Sequence, residues 1–314
     1  MLPVRRLLRL LLLPLLLVLS LTACAERQED TSRESTETGD FPVELQPEGA
    51  PPVTLEKRPE RIVSLSPATT ETLYAVGAGD QVVAVDEMST VPEEAPRTAL
   101  SGLNPDPEQI ASHNPDLVIV DSDTDGKLAE ALDKTGVPTL VLPAPETLET
   151  MYTQFELLGE ATGHVQAGAD LARQTREEID KLVADVGEAG KGLDYYHELD
   201  PSFYTVTSAT FIGQVYDLFG LTNIADQGDP SAHGGYPQLS AERILEADPD
   251  LIFLADTQCC GQNVDTVAER PGWDTLSAVR DGHVIELDDD IASRWVPRIV
   301  DFVRAVADAV SQAA

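Results

Sequence analysis

The chain has 314 residues with 55 acidic and 21 basic side chains, a formal charge of -34. Such a polyanion lacks the clustered Lys and Arg that release counterions from DNA or RNA, so nucleic acid is a poor partner. An apolar content of 42% argues against disorder in the bulk, and three cysteines, Cys24, Cys259 and Cys260, are too few for a disulfide-built fold and wrongly spaced for a structural zinc site.

Arg5, Arg6 and Arg9 precede the apolar run 10–19, which contains Pro14 and is too short to span a membrane, since a spanning helix needs about 20 apolar residues. It reads as an export signal. It ends in Leu21-Thr22-Ala23-Cys24, which resembles the lipobox of bacterial lipoproteins. The expectation is removal of residues 1–23, lipid on Cys24 as the only membrane contact, and a place on the extracytoplasmic face of the cell membrane. A buried cysteine after an ordinary signal is the alternative. Losing three Arg and no acid takes the formal charge from -34 to about -37.

Residues 24–58 begin with Glu26, Glu29, Asp30, Glu34, Glu37 and Asp40 among Thr, Ser and Gly, with scarcely an apolar side chain before Phe41. This composition predicts a solvated, self-repelling tether that holds a folded body near a membrane-bound partner.

From Arg61 onward, apolar runs bounded by Pro, Gly and Asp alternate with helical stretches, which predicts α/β layering. Strands are expected at 61–65, 81–85, 116–120 and 138–142, and again at 195–199, 250–254 and 283–287. Two sheets follow, in lobes spanning 59–146 and 192–314 with a helical connector over 147–191. Within the connector, Val165, Ala169, Ala172, Ile179, Leu182 and Val186 recur at helical spacing with no proline between them. One helix over 165–186, about 33 Å long at 1.5 Å per residue, could serve as a strut between lobes or as an ordinary core helix.

An internal repeat carries the argument furthest. Asp106-Pro-Glu-Gln-Ile-Ala-Ser-His-Asn-Pro-Asp-Leu-Val-Ile-Val120 and Ser240-Ala-Glu-Arg-Ile-Leu-Glu-Ala-Asp-Pro-Asp-Leu-Ile-Phe-Leu254 share one pattern. Each has an N-cap residue (Asp106, Ser240), a first-turn glutamate (Glu108, Glu242), an isoleucine two places later (Ile110, Ile244), then Pro-Asp and a buried strand. Each glutamate stabilises a helix start through the helix dipole by about 0.3–1 kcal/mol. Two matched carboxylates would also suit docking to a symmetric partner with cationic sockets.

The segment Arg61-Ile-Val-Ser-Leu-Ser-Pro-Ala-Thr-Thr-Glu-Thr-Leu-Tyr-Ala-Val-Gly-Ala-Gly-Asp80, the paired glutamate segments, Phe211-Ile-Gly-Gln-Val-Tyr-Asp-Leu-Phe-Gly220 with Asn223-Ile-Ala225, and Pro271-Gly-Trp-Asp-Thr-Leu276 resemble the cobalamin and ferric-siderophore substrate-binding proteins of ABC importers. The resemblance implies two Rossmann-like α/β lobes joined by one long rigid helix, with a ligand cleft between them. It implies a monomer that delivers a small molecule to a dimeric permease, with Glu108 and Glu242 meeting permease arginines, and no catalytic role. Asp290 and Arg294 match cleft contacts of the family's cobalamin binder, and Tyr204 and Tyr236 match positions where it uses aromatic side chains. Two further aromatic positions of its cleft fall near Ser101 and at Asp121, so an apolar wall becomes polar. The ligand is expected to be an iron–siderophore or corrinoid-like metal chelate, with haem or another anionic cofactor as the alternative; the protein itself holds no resident cofactor or metal.

The residues add their own readings. Ser66-Pro67 starts a helix whose free N–H groups are expected at the carboxyl end of the first strand. Arg294 offers a planar fork to an oxygen ligand or an acid of its own lobe. Tyr236, in His233-Gly-Gly-Tyr-Pro237, provides a stacking face, though it and Tyr204 equally suit a core. Cys259 and Cys260 are each other's remaining partners once Cys24 is lipidated, which predicts a vicinal disulfide at the cleft rim; free thiols, a dimer bridge or a metal or redox site are the rivals. The five histidines do not converge, which disfavours a metal-ion binder. There is no Gly-x-Ser-x-Gly and no P-loop, which disfavours an enzyme. The acidic surplus matches proteins that stay soluble in concentrated salt.

Overall fold

The computed structural model describes residues 39–227 and 231–314. The signal-like run, Cys24 and the leader up to residue 38 lie outside the described residues.

Part of the expected tether is folded. Val43–Leu45 (β1) and Val53–Leu55 (β2) pair antiparallel, with Val43 opposite Leu55. Leu45 and Leu55 are buried against Ile62, Leu142 and Leu158 of the first lobe. Composition over 24–58 concealed this, because the apolar residues are few but alternate, so one face of the ribbon is apolar while Glu44 and Thr54 face out.

The first lobe is a five-stranded parallel sheet. Its strands are β3 (Ile62–Leu65), β4 (Val82–Asp86), β5 (Arg97–Leu100), β6 (Leu117–Val120) and β7 (Thr139–Val141), in the order β5-β4-β3-β6-β7. Central β3 and β6 are buried along their whole length, as continuous apolar runs in a helix-covered parallel sheet must be. Edge strand β5, Arg-Thr-Ala-Leu, was not expected, because only Leu100 of its four residues is fully buried. Helices α1 (Pro67–Ala75), α2 (Pro107–Ser112) and α3 (Lys127–Asp133) connect these strands.

The connector is a helical hairpin, whose second helix is the expected strut. α4 (Leu148–Thr162) turns at the left-handed Gly163 into α5 (Val165–Val186). Met151, Tyr152 and Phe155 of α4 join the core of the second lobe, whereas Leu157, Leu158 and Ala161 join that of the first. In α5 the order reverses, with Ala167 against the first core and Ile179 in the second. The two helices touch where a Cβ on Gly159 would lie 2.9 Å from the Gly168 Cα, a separation no side chain tolerates.

The second lobe carries a four-stranded parallel sheet of β8 (Asp194–Glu198), β9 (Thr222–Asn223), β10 (Leu251–Leu254) and β11 (Val284–Glu286), ordered β11-β10-β8-β9. Its helices are α6 (Phe211–Asp217), α7 (Ala241–Ala247), α8 (Thr257–Cys260), α9 (Val264–Ala268), α10 (Ser277–Asp281), α11 (Asp289–Ser293) and α12 (Ile299–Ala313), the last packing on α5.

The repeated Pro-Asp sets the register of both sheets. Asp116 donates its N–H to the Arg61 carbonyl and accepts the Arg61 N–H on its carboxylate, each at 2.8 Å. Asp250 makes the same reciprocal pair with Asp194, at 3.0 and 2.9 Å. The acid thus ties the start of β6 to β3 and the start of β10 to β8.

Candidate functional site

In the first sheet the chain runs outward from β3 to β5, then returns to build β6 and β7 on the other side. The crevice beyond the carboxyl ends at this switch point is where open α/β sheets place ligands. A cavity of about 980 Å³ occupies that place. Its wall takes Leu65 from the end of β3, Asp86 from the end of β4, Ser101 and Gly102 just past β5, Asp121 just past β6, and Arg294 from the second lobe. Gly102 is required there, since a Cβ would meet the Leu65 carbonyl at 2.5 Å and the Asp86 carboxylate at 2.9 Å.

Two carboxyls form the floor. Asp86 is 2% exposed and accepts the Ser89 hydroxyl at 2.5 Å. Burial keeps it above the usual carboxylate range, partly offset by hydrogen bonds from Ser89 and by the charge of Arg294. Burial pushes Asp121 up to about 6, with the Ser66 hydroxyl opposing and the Asp86 charge assisting. Its Oδ1 has no hydrogen-bond partner.

The expected ligand residues divide. Ser101, Asp121 and Arg294 share the cavity; Ser101 also accepts the Asn104 N–H at 3.3 Å. Ser66 does not line it. Fully buried, Ser66 caps α1 by accepting the Thr69 N–H at 3.4 Å and supports Asp121 from behind. Asp290 does not line it either, but holds Arg294 in an ion pair of 2.7 Å, leaving Arg294 Nη1 without a partner. Tyr204 and Tyr236 lie outside the cavity, each 43% exposed and therefore not core side chains. They stand on an antiparallel ribbon where Tyr204 bridges to Gln238 and the Thr207 N–H reaches the Gly235 carbonyl at 2.9 Å. Asp86 is one of several cavity residues that sequence reasoning missed, with Glu87, Asp123, Asp125 and Lys127; its one signal is its place at the end of an apolar run.

The switch point of the second sheet carries an ion pair. Glu198, at the end of β8, pairs with Arg270 through two contacts of 2.5 and 2.6 Å, and Arg270 lies 4.5 Å over the Trp273 ring. Burial and the Glu198 charge push neighbouring Asp256 up to about 7. Cys259 and Cys260 form a vicinal disulfide in α8, exposed and away from the cavity wall. Asp289 anchors that helix by accepting the N–H groups of Thr257 and Cys259 at 2.8 Å.

Glu108 and Glu242 are exposed second residues of α2 and α7. Among the described residues neither has an ion-pair partner in the protein. Hydrogen bonding to its own backbone N–H and to the Ser240 hydroxyl holds Glu242 below the usual range. Burial drives His197 down to about 3 beside the Tyr216 hydroxyl at 2.7 Å, and among the described residues no cluster of His, Cys, Asp or Glu could hold a metal ion. No helix of the described residues is long and apolar enough to cross a membrane.

The chain belongs to the periplasmic binding protein family, whose model matches residues 62–291. Members are transport components rather than enzymes. The chain is 28% identical over 94% of its length to an uncharacterised ABC transporter substrate-binding lipoprotein of Bacillus subtilis, covering 94% of it. It is 30% identical over 79% of its length to a vitamin B12-binding protein of Vibrio parahaemolyticus, covering 88% of that chain. Among solved structures, the periplasmic vitamin B12 binding protein of Vibrio cholerae superposes with a TM-score of 0.66 at 26% identity, over 81% of this chain and 98% of that one.

Proposed function

We propose that this chain is the lipid-anchored, extracytoplasmic component of an ABC importer that captures an iron–siderophore or corrinoid chelate and delivers it to a dimeric permease. Lipid on Cys24 holds it to the membrane surface, and it works as a monomer. The observation that carries the ligand part is the cavity: the ends of β3, β4, β5 and β6 build one wall and Arg294 reaches in from the other lobe, so a ligand there touches both. Relatives that match along most of their length are named for ABC transport and vitamin B12 binding. Glu108 and Glu242 are the handles, equivalent by the repeat, exposed and without an ion-pair partner among the described residues, and therefore available to arginines of a partner.

Titration of the purified protein with cyanocobalamin and with ferric trihydroxamates tests this. Saturable, one-to-one retention of a chelate without turnover is expected. Absence of binding across both chelate classes, or consumption of the bound molecule, would refute it.

A further inference from the structure

Five acids, Asp86, Glu87, Asp121, Asp123 and Asp125, line the cavity against two cations, Lys127 and Arg294. Both cations are already engaged. Lys127 pairs with Asp125 at 2.5 Å and Arg294 with Asp290 at 2.7 Å. Asp123 is occupied at the start of α3, accepting the Leu128 and Ala129 N–H groups at 3.1 and 2.8 Å. Three acids remain: Glu87, which is exposed, and the adjacent carboxyls of Asp86 and Asp121, which have no ion pair to a cation and one of which has an unpartnered oxygen. Like charge repels across a low-dielectric cleft, and a buried acceptor left unmatched costs free energy that a donor recovers.

We propose that Asp86 and Asp121 select ligands by charge, admitting uncharged or cationic chelates that carry amide or ammonium N–H donors and rejecting anionic ones. This rests on reading the cavity as the chelate site. An anionic ligand such as a triscatecholate complex, or a porphyrin with two propionates, brings negative charge to a wall where acids outnumber cations and each cation already pairs with an acid. An amide-rich corrinoid or a trihydroxamate brings donors that Asp121 lacks, and carbonyl oxygens within the reach of the free side of the Arg294 fork.

The test titrates the purified full chain with five probes: cyanocobalamin, a cationic and an uncharged ferric trihydroxamate, a trianionic ferric triscatecholate, and haemin. At least one of the first three is expected to bind, and the anionic two to bind at least about tenfold more weakly. The Asp86→Asn and Asp121→Asn variants, with folding verified by thermal melting, should narrow that gap by improving the anionic probes. Asp290→Asn, which frees Arg294 and leaves the floor untouched, should narrow it independently. Tightest binding of an anionic probe, or an equal effect of the variants on all probes, would overturn charge selection while leaving chelate binding intact. Failure of all five would overturn the chelate reading as well.

Discussion

Arg298 donates two hydrogen bonds to the carboxylate of Glu71, at 2.8 and 2.9 Å, and so clasps the start of α12 in one lobe to α1 in the other. Glu71 is 5% exposed and Arg298 32%. Removing one partner of a mostly buried pair strands the other, whereas removing both does not. Arg298→Met is therefore expected to cost about 2 kcal/mol, and Arg298→Met with Glu71→Leu to recover most of it. Equilibrium denaturation of the parent and the two variants measures this; equal loss in the single and double variants would show that the clasp contributes nothing.

The pH dependence of Asp121 has a defined sign. Its folded value of about 6 lies above the ordinary 3.8, so the folded state holds the proton more tightly than the unfolded chain. The ionised carboxylate therefore costs stability above pH 6, and that cost is relieved as pH falls from 6 toward 4. The gap corresponds to at most roughly 3 kcal/mol. Asp121→Asn should raise the denaturation midpoint at pH 8 and leave it nearly unchanged at pH 4; a gain of equal size at both would contradict the titration.

The Gly159–Gly168 contact fixes the hairpin that joins the lobes. A Cβ on Gly168 would lie 2.7 Å from the Phe155 carbonyl, which belongs to the helix backbone and cannot swing aside. Gly168→Val is expected to destabilise by about 3 kcal/mol, at the upper end for overpacking. A melting temperature matching that of the parent would show that α4 and α5 are free to separate.

With 55 acids against 21 bases, self-repulsion opposes the folded state at low ionic strength. Screening shortens the reach of each charge to about 3 Å at 1 M salt. Melting temperature should rise by several degrees from dilute buffer to molar potassium chloride. No rise would mean that the surface charge is already balanced locally.

Much of this was legible because local chemistry and fold agree. The repeat around Glu108 and Glu242 displayed its N-caps, buried isoleucines, Pro-Asp pairs and buried strands, and the 165–186 helix emerged with the expected ends. What escaped depends on distant residues. The β1–β2 ribbon is buried only because Leu142 and Leu158 meet it, and β9 has two residues. Asp86 gains meaning only once the strand order places it beside Asp121. Tyr204 and Tyr236 were assigned to the cleft by resemblance; they are exposed on their ribbon and are not among the residues that line the cavity. That α4 runs beside the α5 strut rests on Met151 and Phe155 crossing to the second core, which periodicity alone does not reveal.

Uptake of a bound chelate by cells carrying the partner permease, measured for Glu108→Ala with Glu242→Ala alongside chelate affinity of the purified variant, tests the delivery role most directly. The account predicts unchanged affinity with uptake abolished. Uptake at the parental rate with both carboxylates gone would contradict it.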